Sequence, residues 1–229
     1  MSTIPKRSEK VAMQVKVGFG LAQRLEADER LKDLAPAMRA VCERLGQCAA
    51  AVDEAKRQAW LRRDTRDRDE ARVEACVRRS ELEVRLSAEG RRDTAEHRAL
   101  FPEGLEGLAG GRQDVRVLRQ KALAEALSGT AGFEPRGKAL ADMLAIAAQS
   151  RAAFEEARLR RHVAVQALDA AREAFLHLYR VTLATVTGRL DDPRAAKALF
   201  PSLAKAPAPP EAPSPAAAAP PAVPPAQAA

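Results

Sequence analysis

Glu173 and His177 stand four residues apart, one helical turn, and two such side chains on one helix face are a geometry that can grip a metal ion. The di-iron pattern of helical bundles asks for more: Glu-x-x-His on two helices, with further glutamates between them. Here the spacing is one residue too long, and 99 residues earlier the matching position is Arg78. A surface ion pair is the expected role. The other two histidines, His97 and His162, are scattered. The three cysteines, Cys42, Cys48 and Cys76, are an odd number confined to the first half of the chain, and no Cys–His pair is close in sequence. They read as reduced thiols of a cytoplasmic protein. "GLAGGRQD" is Gly-rich and precedes a helical pattern, but it follows no strand and lacks the Lys-Ser/Thr of a phosphate loop. The expectation is therefore a protein that is not an enzyme, with no cofactor and no metal.

Recognition is the other chemistry available. "RRDTRDRDE", from Arg62 to Glu70, sets four arginines against four acids with no apolar residue among them. A solvated helix laced by pairs such as Asp64–Arg68 at i,i+4 is the first reading. The others are a break in the helix, or a partner-binding patch made by Arg62, Arg63, Arg66, Arg68 and Asp69. The net charge of +7 raises nucleic acid as a competing partner. Against it, the excess is spread thinly, acids interleave with the arginines, and only 3% of residues are aromatic, which leaves little to stack on single strands. No apolar run approaches the ~20 residues that span a bilayer, and the opening "MSTIPKRSEK" carries no signal-peptide core. The expected partner is another protein, or a second copy of the chain in a homodimer, and not a membrane.

The elements that must position these residues read as all-α. Asn is absent, Tyr and Trp occur once each, and Ala, Leu, Arg and Glu dominate. From Lys138 to Thr187 there is neither Gly nor Pro, with Pro135 suited to a first turn and Gly188 to a stop. Leu140, Ala147, Phe154, Leu168 and Phe175 fall at multiples of seven, with Met143, Ala157, Ala164, Ala171 and Leu178 on the companion positions. One seam held that long implies a coiled-coil-like helix packed lengthwise on another, and an elongated molecule. A matching long helix is expected from Pro36 to Gly90. Shorter helices precede each, near Ser8–Asp33 (loosened by Gly18 and Gly20) and Gln113–Leu127.

The word "ALFP" ends at Pro102 and again at Pro201, 99 residues later. The same shift aligns Pro36 with Pro135, Leu45 with Leu144, Arg62 with Arg161, and Glu74-Ala75 with Glu173-Ala174. Two tandem helical repeats of about 99 residues follow, 1–103 and 112–203, joined by a Gly-rich hinge at 104–111. In each, a short helix capped by Asp93 or Asp192 would end at the proline. Leu100, Phe101 and Pro102, and Leu199, Phe200 and Pro201, would then anchor the bundle end. Beyond, 204–229 is almost wholly Ala and Pro, the composition of a disordered or semi-stiff tail. The function these features suggest is a scaffold or adaptor, with nucleic-acid binding as the alternative.

Overall fold

The structure is a computed structural model that describes residues 10–91 and 94–200. Within them every element is helical: α1 (Val11–Glu26), a 3₁₀ turn (Lys32–Leu34), α2 (Ala35–Ser87), α3 (Ala95–Leu100), α4 (Gly104–Ala109), α5 (Gln113–Ser128), α6 (Glu134–Leu190) and α7 (Pro193–Leu199). Among the described residues no helix is long and apolar enough to cross a membrane. Pro201, Ser8, Asp93 and the Ala/Pro stretch 204–229 lie outside the described residues.

Both long helices form, at 53 residues for α2 and 57 for α6. Their ends differ from expectation. Gly188 does not stop α6, which runs on to Leu190 because Asp191 takes the left-handed backbone conformation (φ 51°) that breaks it. Likewise α2 ends at Ser87, and Glu89 and Gly90 turn the chain with φ of 54° and 80°. The charged stretch 62–70 does not break α2. The Gly-rich stretch 104–111, expected as a hinge, holds α4 with Leu108 buried; the glycines supply positive φ at its borders, 65° at Gly104 and 84° at Gly111.

By proximity the chain forms two compact units, each drawing on both halves of the sequence. The first takes residues up to Glu43 together with those from Glu173. Leu21, Ala22 and Leu25 of α1 are fully buried there, as are Met38 and Cys42 of α2 and Phe175 and Tyr179 of α6. Gly18, expected to loosen α1, lies inside an unbroken helix. Its lack of a side chain serves close approach instead: a Cβ there would collide with Cys42 Sγ and come within 2.7 Å of the Phe175 ring. Asp192 caps α7 by accepting the Arg194 N–H (2.7 Å), with Pro193 in the first turn. At the other end of α7, the Arg24 guanidinium donates to the carbonyls of Ala198 and Leu199 (3.2 and 3.1 Å), two groups no helical turn can satisfy.

The second unit, Arg44–Arg172, contains most of α2, the first part of α6, and α3, α4 and α5. Val73, Val77 and Val84 of α2 share a core with Leu100, Phe101, Leu108, Leu123, Leu127, Phe133, Leu140 and Leu144. Thr94 caps α3 by accepting the His97 N–H (3.2 Å). α5 is stitched to α4 by Arg119 and Gln120, which donate to the carbonyls of Gly107 and Leu108 (2.8 and 3.2 Å). Where α6 begins, it crosses the end of α5 at Gly137. A Cβ there would strike the Ser128 backbone nitrogen and sit 2.7 Å from the Ala124 carbonyl oxygen. Backbone cannot yield as a side-chain tip can. Gly137→Ala is therefore expected to cost about 1–3 kcal/mol despite alanine's better helix propensity, as measured by urea denaturation.

Candidate interaction surface on the α2–α6 pair

Within the second unit three contacts set α2 and α6 antiparallel. Glu83 pairs with Arg136, Glu70 with Arg151 (2.9 Å), and the Arg66 guanidinium lies 4.4 Å from the centre of the Phe154 ring. The buried positions of α2 recur every seven residues at Leu45, Val52, Ala59, Val73 and Ser80, and Arg66 falls in that row. A guanidinium in an apolar row is tolerated because its flat face stacks on an aromatic while its nitrogens reach Asp67 (Nε–Oδ1 2.9 Å).

Glu70 is the polar centre of this unit. Its Oε1 accepts from Gln113 Nε2 (2.7 Å) of α5 and Arg151 Nε (2.9 Å) of α6, and its Oε2 pairs with Arg116 (3.3 Å) of α5. Arg116 also reaches Glu74 (3.6 Å). Thus the first turn of α5 is held in the groove between α2 and α6 by carboxylates on α2, and the charges sit half-buried.

About two and four turns farther along those same faces the groove is uncovered. Asp67 and Trp60 precede Glu74 by seven and fourteen residues; Arg158 and Val165 follow Arg151 by the same steps, so they continue the two faces that grip α5. Trp60, the only tryptophan in the chain, is 66% exposed, and Leu159 is 63% exposed. On α6 a groove of about 520 Å³ is lined by Glu155, Arg158, Leu159, Arg161, His162 and Val165.

The anticipated patch divides accordingly. Arg62, Arg63 and Arg68 are exposed and Arg66 is half-buried, but Asp69 is buried (7% exposed) and pairs with Arg72 (3.2 Å). Asp69 lies seven residues before Cys76, on the inward side of α2, so it is no part of an outer surface. The "ALFP" residues are placed one by one: Leu100, Phe101 and Phe200 are buried, Leu199 is half-buried, and Pro102 is exposed.

Two arrangements left no mark in the sequence. One is the Glu70 junction, whose members lie 43 to 81 residues apart. The other is His97, buried with its Nε2 3.3 Å from Glu81 Oε1 and its ring stacked on Phe101 at 5.3 Å. Glu173 and His177 are both exposed, and among the described residues no group of three or more His, Cys, Asp or Glu could hold a metal.

The three cysteines are free. Burial pushes the Cys42 thiol up to about 11, helped by the charge of Glu43, and burial raises Cys76 as well. Since the thiolate is the reactive form, iodoacetamide at pH 8 should modify the half-buried Cys48 in the folded protein, and Cys42 and Cys76 only after denaturant is added. Peptide mapping by mass spectrometry reads this directly. No protein-family model, curated protein or solved structure matches the chain.

Proposed function

We propose that the protein is a non-enzymatic scaffold or adaptor, and that it engages its partner through the open stretch of the α2–α6 pair around Trp60. The single observation carrying this reading is the exposure of Trp60 on a face that, fourteen residues on, is used to bind a helix of the same chain. Tryptophan is enriched among the residues that carry most of an interface's binding energy. The seven-residue rows of α2 and α6 support a coiled-coil-like pairing of the two helices.

Two tandem repeats, 1–103 and 112–203 with 104–111 between them, belong to the same proposal. Support comes from the matching order and lengths of the helices: 16 residues in both α1 and α5, 53 and 57 in α2 and α6, 6 and 7 in α3 and α7. The buried positions of the short helices also match, with Leu21, Ala22 and Leu25 in "LAQRL" standing where Leu123, Ala124 and Leu127 stand in "LAEAL".

The test is site-specific cross-linking with a photoreactive residue at position 60, beside a control at the exposed Lys121. Adducts to one partner, or to a second copy, from position 60 alone are expected. Equal and indiscriminate adducts from both positions would overturn the reading. Nucleic-acid binding is the competing reading, because Arg62 and Arg161 lack carboxylate partners; a gel shift that vanishes between low and moderate salt would favour it.

A further inference from the structure

The uncovered groove has a chemical preference that can be read from its ion pairs. From residue 47 to 72 of α2 and 151 to 172 of α6, every carboxylate already has a cation. Asp53 pairs with Lys56, Glu54 with Arg57, Asp64 with Arg68, and Asp67 with Arg63 and Arg66. Asp69 pairs with Arg72, Glu70 with Arg116 and Arg151, Glu155 with Arg158, Glu156 with Arg160, and Asp169 with Arg172. In this stretch Arg62 and Arg161 alone among the arginines and lysines make no ion pair. Of the two, Arg161 lines the α6 groove, whereas Arg62 stands about 200° around α2 from Trp60, in the row of Asp69 and Cys76.

Resting on the interaction reading above, we infer that the open groove beside Trp60 binds an acidic amphipathic helix of another protein. Its apolar face covers Trp60, Leu159 and Val165, and its carboxylates meet Arg161. The shape requirement comes from α5, a helix lodged between α2 and α6 on these same faces about two to four turns away. The charge requirement comes from the Arg161 guanidinium, which lines the groove without an ion pair and suits a carboxylate in forked geometry. A second copy of this chain is a poor occupant, since the matching face would bring another unpaired arginine and no spare carboxylate. Lipid is a poor one too, because six in-helix ion pairs rim the stretch and leave no continuous apolar face.

Trp60 is the built-in reporter. The full chain is titrated with a synthetic helical peptide of leucine and glutamate in amphipathic spacing, and with its leucine/lysine counterpart, while tryptophan emission is followed. The glutamate peptide should move the emission to shorter wavelength as the indole leaves water, and the lysine peptide should not. Arg161→Glu should weaken the glutamate peptide about tenfold, as reversal of a poorly screened charge pair does, and Arg62→Glu, on the other flank of α2, should leave it unchanged. Both substitutions are on exposed side chains without partners, so circular dichroism of the variants should be unchanged. Three results would overturn the inference: no shift with the glutamate peptide, equal binding of both peptides, or undiminished binding by Arg161→Glu. If the lysine peptide binds alone, the interaction surface stands and its acidic partner does not. Displacement of the glutamate peptide by duplex or single-stranded DNA at low salt would give the groove to nucleic acid instead.

Discussion

Phe200→Ala should lower stability by about 3–5 kcal/mol, and Phe101→Ala by a similar amount, the range found when a buried phenylalanine is truncated. Each ring is only 3% exposed. Phe200 stands edge-on to Tyr179 (5.2 Å, 81°), and Tyr179 is tilted against Phe175 (5.7 Å), the ring that fills the space left by Gly18. Truncation therefore removes one member of a three-ring cluster, and edge-to-face contact adds roughly 0.5–1.5 kcal/mol beyond burial. Phe101 covers different chemistry. Its ring stacks on His97, and its loss would admit water to the buried His97–Glu81 contact. Pro102→Ala is the control, since Pro102 is exposed and should change stability by no more than about 0.5 kcal/mol. Denaturant midpoints for the three variants decide the matter. Unchanged midpoints for both phenylalanine variants would mean that the "ALFP" turns do not hold the helix ends.

Glu70→Ala is the second large effect, expected at about 2–3 kcal/mol. Removing one partner of a fully buried ion pair costs about 3–5 kcal/mol; the value here is lower because about a fifth of the Glu70, Arg116 and Arg151 side chains still reaches water. The loss strands the Arg151 guanidinium and the Gln113 amide, and leaves Arg116 only its longer pairing with Glu74. Glu70→Gln should cost less, because it keeps one acceptor oxygen. A double-mutant cycle with Arg151→Ala should give a coupling above about 0.5 kcal/mol. Additive costs would show that Glu70 and Arg151 act independently, and that the α5–α2–α6 junction rests on its apolar neighbours.

The helices were legible because helix propensity and seven-residue spacing are local properties. Pro135 near the start of α6, Asp192 as the cap of α7, and the inward row of Leu140, Ala147 and Phe175 follow from neighbours a turn or two away. Capping misled where two polar residues stood side by side: Thr94 caps α3, and a sequence cannot rank it against Asp93. The stretch from Arg62 to Glu70 was harder still. Read alone, nine charged or polar residues mean a solvated face, because a charge left unpaired in a core is prohibitive. Yet Arg66 lies on Phe154, Asp69 turns inward, and Glu70 collects three donors from two other helices.

What the sequence determined by itself was the all-α class, the two long helices and the inward faces of most of them. These depend on backbone entropy and on apolar periodicity, both of which act within a few residues. The tertiary structure alone decided which arginines find carboxylates and which do not, and where a groove filled by α5 is left open beside Trp60. It also decided that Gly18 and Gly137 must lack a side chain. The physical reason is common to all three. Ion pairing, groove filling and close approach depend on atoms brought together from tens of residues away, and only the packed chain sets those distances.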